Sequence, residues 1–503
     1  MAIPIFLSYR ATEYHLLTNK LVMKDLSFFG PALVAGIWGA TLSSALGALL
    51  GAPRTLQALA KDNVLPSFLG KGYGVDDEPR VATAISVAIA FISILLGDLD
   101  AIAPVLSMFF LTSYGLLNFS AGLEGMIANP SWRPKFKTKP FVSIVGGFLC
   151  LAVMFLINSG ATIISLVLIL IVYIYIQRKG MTAHWGDMRR GILLALARYS
   201  IKKLDILQEN TKSWRPNLLV LAGSPTKRWH LVEFANSITH GKGFMTIATV
   251  VSEDSVDYSR VSQLKFTIEE YLKRREINAL VRVSLGRSLI DGAKALVRDY
   301  GIGSIVPNTV VVGDRSKLDD LEPFVEMLVN IYEQKKNIVV VRAGDYPEQI
   351  SNGGRIDVWW GRERNNAALG LAFGYMMQSG PNQSKASLEL KSITQREEEK
   401  AMAMDFLTDY RRKSRLDCKV DVYCVPGDRD VVFSGIREVS KDAKMLFIGL
   451  KPPNLTAFKE NKKEAIKDYA TYYSSIISRT EGFPPLAIVL AAEDVDFTSI
   501  FSN

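Results

Sequence analysis

Five long apolar runs crowd into the first 180 or so residues, at about Phe28–Ala52, Val81–Leu96, Ile102–Met126, Phe141–Ile157 and Ala161–Ile176. A bilayer requires about 20 predominantly apolar residues per helix, so these runs predict membrane spans. The second is slightly short and extends into its flanks. Tyr173 and Tyr175 fall at the end of the fifth, where interfacial aromatic residues sit. Met1–Phe6 is apolar but too short to span, and it lacks the basic leader and cleavage site of a signal peptide.

The loops between the runs set their direction. Arg54, Lys61, Lys71 and Arg80 separate runs one and two; Arg133, Lys135, Lys137 and Lys139 separate three and four; Arg178 and Lys179 follow the fifth. The alternate loops, GDLDA at 97–101 and NSG at 158–160, have neither lysine nor arginine. The positive-inside rule therefore places the basic loops and everything after Ile176 in the cytoplasm. Arg10, Lys20 and Lys24 point the other way and are outnumbered. After the last run, Met188–Leu207 sets Ile192, Leu193, Leu196 and Leu204 against Arg198, Lys202 and Lys203. It predicts a basic amphipathic connector within 181–215, packing on the protein itself or lying on the membrane surface.

The remainder has the charge density and alternating patterns of an aqueous domain. The net charge of +9 is carried by loops beside the apolar runs and by scattered residues, so topology explains it and nucleic acid is not expected as a partner. Cys150, Cys418 and Cys424 give no disulfide framework and read as free thiols. His15, His184, His230 and His240 have no ligand-like spacing, which argues against zinc or histidine catalysis.

From Pro216 onward, short β-rich runs alternate with amphipathic helical patterns. Asn217–Gly223, Phe244–Val251, Ala279–Gly286, Thr309–Asp314 and Asn337–Ala343 read as buried parallel strands, and Arg355–Gly361 adds another. This predicts a doubly wound α/β subdomain over 216–378. A polar stretch at 379–399 reads as a linker to a second α/β subdomain, 400–503, with strands KVDVYCVP, KMLFIGL and PLAIVLAAED. There is no G-x-x-x-x-G-K-[ST] loop, no G-x-G-x-x-G and no G-x-S-x-G elbow. Gly301 and Gly303 read as a turn. The aqueous part reads as regulatory or assembling rather than catalytic.

Within the first span, Ile37–Asn63 places Ala40, Ser43 and Ser44 at spacings of three and four, so a carbonyl and two hydroxyls converge on one helix face. Oxygen ligands suit a small hard cation. The competing reading is steric: Gly36, Ala40, Ser44 and Ala48 form a small-x-x-x-small stripe that would let helices approach, and serines can bond back to their own helix.

Six blocks in order resemble the cation-chloride cotransporters of the amino acid-polyamine-organocation superfamily. They are GATLSSALGALLGAPRTLQALAKDN at 39–63, KGYGVDDEPR at 71–80, FFLTSYGLLNFS at 109–120, PSWRPKFK at 130–137, VPNTVVVG at 306–313 and RIDVWW at 355–360. After RIDVWW the chain departs from many eukaryotic members, reading GRERNNAALGLAFGY.

The resemblance implies an α-helical membrane bundle, the C-terminal part of a LeuT-like inverted-repeat transporter. A cytoplasmic domain of two universal-stress-protein-like halves would follow it. The five runs, within 28–180, look like helices 8–12, and residues 1–27 like the end of helix 7 and an external loop. Without the first six helices the chain is not expected to transport alone. The resemblance further implies sodium binding at Ala40, Ser43 and Ser44, where potassium-chloride members have small residues without hydroxyls. It assigns chloride binding to Tyr114, a phenol donor suited to an anion. The implied protein is a sodium-coupled symporter of sodium, potassium and chloride in the plasma membrane. It would be a homodimer through its cytoplasmic domain and last membrane helices, with no cofactor and no metal beyond transported sodium. Two alternatives remain: a stand-alone regulatory partner of another transporter, and an amino acid permease with a nucleotide-sensing domain. The missing phosphate loop predicts no saturable ATP binding.

Overall fold

The computed structural model describes residues 2–19, 21–62, 64–96, 99–127, 133–136, 138–178, 188–207, 214–240, 243–253, 258–315, 321–344, 354–380, 386–492 and 496–499. Lys20, Lys137 and Lys179, used above for orientation, lie outside them, as do most of the connector's flanks. The chain divides into two units, Met1–Ala197 and Arg198–Asn503.

The first unit is helical. Three short helices, α1 (Ala2–Arg10), α2 (Glu13–Thr18) and α3 (Val22–Leu26), precede α4 (Gly30–Lys61), α5 (Arg80–Leu96), α6 (Leu99–Ile127), α7 (Pro140–Ile157) and α8 (Ser159–Arg178). A ninth, α9 (Met188–Ile206), runs on into the second unit. Of the five expected spans, α4, α6 and α7 are long and apolar enough to cross a membrane, whereas the apolar parts of α5 and α8 are shorter. Gly122 and Gly125 bring α6 against α7: a Cβ on Gly122 would fall 2.6 Å from Ile144 Cγ1, and one on Gly125 2.9 Å from Pro140 Cγ.

The helix that carries the span expected over Phe28–Ala52 continues beyond it. It runs through Pro53 to Lys61, about 48 Å at 1.5 Å per residue. An internal proline removes a backbone hydrogen bond, and packing beyond it compensates. Ala60, Leu69 and Ala82 form a small core with Leu56, Leu65 and Val81. Gln57 Nε2 donates to Asp77 O at 3.0 Å, and Lys61 pairs with the Asp77 carboxylate.

The second unit holds one ten-stranded sheet in the order β3-β2-β1-β4-β5-β10-β9-β6-β7-β8. Its first half comprises β1 (Asn217–Leu221), β2 (Phe244–Ser252), β3 (Leu280–Gly286), β4 (Thr309–Gly313) and β5 (Asn337–Arg342), linked by α10 (Trp229–Thr239), α11 (Tyr258–Arg274), α12 (Leu289–Asp299) and α13 (Leu321–Glu333). The second half comprises β6 (Gly354–Trp359), β7 (Ala386–Thr394), β8 (Lys419–Cys424), β9 (Ala443–Gly449) and β10 (Leu486–Leu490). Its links are α14 (Arg364–Gln378), α15 (Glu397–Ser414), α16 (Arg429–Ser440), α17 (Leu455–Glu460) and α18 (Lys462–Arg479). Numbered within itself, each half has the strand order 3-2-1-4-5. All pairings are parallel except that of the two fifth strands, β5 and β10, which join the halves antiparallel. Helices α10, α11, α14 and α15 pack on one face, and α12, α13, α16 and α18 on the other.

Two expectations about this domain are corrected. The strand at Arg355–Gly361 belongs to the second half, where β6 pairs with β7 and β9. The stretch read as a linker, 379–399, contains β7. Its polarity misleads because Leu388 and Leu390 face one core while Glu389 and Lys391, on the other face, are buried in ion pairs.

Candidate functional site

Ala40, Ser43 and Ser44 lie midway along α4, all exposed. Thr41 Oγ1 donates to the carbonyls of Ile37 at 2.9 Å and Trp38 at 3.1 Å, the back-bonding usual for a hydroxyl within a helix. Among the described residues neither serine makes such a bond. Among the described residues the small-residue stripe has no neighbour: Gly36, Ala40, Ser44 and Ala48 are all exposed, and a Cβ on Gly36 would meet nothing within 4 Å. The stripe is therefore not a contact between the described helices.

Tyr114 sits on α6, 56% exposed, its ring stacked on Phe110 at 6.3 Å. Helix α4 packs against α5 and the turn that follows α4, whereas α6 packs against α7 and α8. The structure does not gather Tyr114 and the two serines into one site.

A second feature lies in the α/β unit. At the carboxyl ends of β1 and β4, adjacent strands whose following helices leave to opposite faces, a cleft of about 320 Å³ opens. That point of an open α/β sheet is its natural ligand crevice. Val250, Val312 and Phe324 contribute to an apolar interior; Lys227, Arg228 and Arg315 bring positive charge, and among the described residues no acidic one lines it. Gly223, with φ of 65°, turns the chain out of β1 toward Ser224. A Cβ on Gly313 would lie 3.4 Å from Arg228 Nη1, so the guanidinium rests against bare backbone at the end of β4. Nearby His230 has its pKa lowered, by burial first and then by the charge of Arg228.

Residues 7–219 match the family model described as amino acid permease, and 228–346 that described as solute carrier family 12. Solute carrier family 12 member 2 of Mus musculus is 32% identical over 405 residues, covering 77% of this chain and 33% of that protein. Solute carrier family 12 member 1 of Rattus norvegicus is 33% identical over 339 residues, covering 66% and 31%. The chain belongs to the cation-chloride cotransporter family. This cotransporter-family chain spans about a third of the length of the curated relatives it matches. The solved cytoplasmic domain of a prokaryotic cation chloride cotransporter aligns with 57% of it, at 16% identity and a TM-score of 0.39.

Sequence reasoning missed the cleft in this cotransporter-family chain because no phosphate-loop motif marks it. The available signals were the glycine closing β1 and the Lys227-Arg228 pair after it. Neither points to a site until the strand order places the ends of β1 and β4 together. The expected Gly301 and Gly303 turn is present. Both have positive φ, and a Cβ on Gly303 would press on Ile201 of α9 at 2.8 Å. Beside it, Ser304 N donates to Asp205 Oδ1 at 2.8 Å.

Proposed function

We propose that this chain carries part of the ion pathway of a sodium-coupled chloride cotransporter, with Ala40, Ser43 and Ser44 as sodium ligands and Tyr114 as a chloride donor. Its apolar helices would correspond to helices 8–12 of a LeuT-like fold in the plasma membrane. Potassium would be co-transported, and the α/β unit would serve regulation and homodimer formation in the cytoplasm. The observation that carries the reading is the contrast on α4: Thr41 spends its hydroxyl on its own helix, while Ser43 and Ser44 leave theirs open. Unengaged hydroxyls on a membrane helix are ready ligands for a hard cation. The test is sodium- and chloride-dependent rubidium uptake by the longest reading frame containing these residues. Ser43→Ala and Ser44→Ala are expected to raise the sodium concentration needed for half-maximal uptake; uptake indifferent to both would overturn the assignment.

The cleft favours a second activity in the same chain. Against the expectation drawn from the missing phosphate loop, an apolar slot with three basic residues and, among the described residues, no acidic one suits a planar group bearing phosphates, such as a nucleoside phosphate. Calorimetric titration of the detergent-purified chain with ATP tests this. Saturable binding lost in Arg228→Ala is expected, and no binding by the wild type would refute it.

A further inference from the structure

We propose that a ligand in the cleft is sensed by the second half of the sheet through Tyr473, which contacts Phe324 of the cleft wall and Asp314, the residue between the lining Gly313 and Arg315. The proposal rests on the reading that the cleft takes a phosphate-bearing ligand, and it concerns how that site is regulated.

Asp314 stands between Gly313 and Arg315, both of which line the cleft. Its carboxylate is engaged elsewhere: Oδ1 accepts from the Tyr473 hydroxyl at 3.1 Å, and Oδ2 from Arg342 Nε at 2.7 Å. Arg342, at the end of β5, also donates through Nη1 to the carbonyl and hydroxyl of Thr480 at 2.9 and 3.1 Å. Tyr473 and Thr480 are fully buried, on and just after α18 of the second half. The other contact is aromatic. Phe324 lines the cleft from α13, and its ring centroid is 5.7 Å from that of Tyr473.

The same two helices are tied again at the surface. Glu326 on α13 pairs with Lys462 on α18 at 2.7 Å and with Lys294 on α12 at 3.2 Å. Helices α12 and α13 both line the cleft. A close-packed, hydrogen-bonded junction has little slack. A ligand that draws Arg315 inward or displaces Phe324 must therefore shift Asp314 or the Tyr473 ring, and with them α18. Linkage makes the effect reciprocal: changing Tyr473 changes affinity at the cleft.

The experiment uses the full chain in detergent, with ATP as probe, calorimetry for binding and hydrogen exchange for α18. ATP is expected to slow exchange several-fold over residues 472–480. Tyr473→Phe keeps the ring and removes the hydroxyl; it should weaken ATP about five-fold and abolish that slowing. Asp314→Asn should do the same from the cleft side. ATP binding with unchanged exchange at 472–480, or unaltered affinity in both variants, would overturn the sensing role and leave the cleft reading intact. No ATP binding by the wild type would overturn both.

Discussion

Lys391 Nζ lies 2.8 Å from Asp357 Oδ2, with the two side chains only 1% and 0% exposed. Glu389 Oε2 is 3.0 Å from the same ammonium, and Arg355 Nε is 2.9 Å from Asp357 Oδ1. The group spans β6 and β7, where Asp357 and Glu389 stand opposite in register. Asp357→Asn removes one of the two carboxylates that compensate Arg355 and the fully buried Lys391. Breaking a buried pair costs about 3–5 kcal/mol. The urea midpoint of the α/β unit is expected to fall accordingly. Asp357→Leu combined with Lys391→Met, which leaves no unmatched charge at the pair, should recover much of the loss.

This network also marks the limit of what hydropathy could reveal. Nine of the ten strands are legible as apolar, β-branched runs, the central ones such as Val310–Val312 and Ile338–Val341 buried on both faces. Strand β7 was hidden because four of its seven buried residues, Glu389, Lys391, Ser392 and Thr394, are charged or polar. Which half owns β6 depends on pairing over long sequence separations, which no local pattern encodes. In the membrane part the residues themselves exposed Ser43 and Ser44 as candidates. Their freedom from back-bonding, unlike Thr41, needed coordinates. The cleft is a product of topology: Lys227 and Arg315 are far apart in sequence and meet only because β4 lies beside β1.

Glu326 offers a test at acid pH. Burial pushes its carboxyl up, but hydrogen bonds from Lys462 and Lys294 outweigh this and hold its pKa below the usual value near 4.5. A group depressed on folding adds stability that is complete above its unfolded pKa and is lost as pH falls through the folded one. Wild type and Glu326→Gln should therefore differ by a constant amount from pH 7 to about 5, under about 1 kcal/mol for a partly exposed pair. The difference should close below pH 4.5. A gap that widened in acid would contradict the pairing.

Cys418 is expected to be the slower of the two thiols in the α/β unit. Burial pushes its pKa to about 11, with Arg411 partly opposing the rise. At pH 8 only about one molecule in a thousand then carries the thiolate that reacts. Cys424 is also raised, chiefly by its hydrogen bond to Glu397, but it sits at the end of edge strand β8 with more access. Peptide mapping after iodoacetamide treatment should find Cys424 modified first. Cys418 labelling should rise about ten-fold per pH unit.

Gly286 and Gly292 set the position of one wall of the cleft. A Cβ on Gly286, at the end of β3, would fall 2.6 Å from Gly292 Cα and 3.0 Å from Ser288 O. Both obstructions are backbone, so no side-chain rotation relieves them and α12 has to move. That helix supplies Leu289, Ile290 and Ala293 to the cleft. Overpacking of this kind costs about 1–3 kcal/mol, and Gly286→Ala is expected to lower stability by that amount while weakening ATP. Gly361→Ala is the matched control: its Cβ meets nothing within 4 Å, so its effect should stay within about 0.5 kcal/mol. Equal effects of the two substitutions on urea midpoint and ATP titration would show that the approach of β3 to α12 does not shape the cleft.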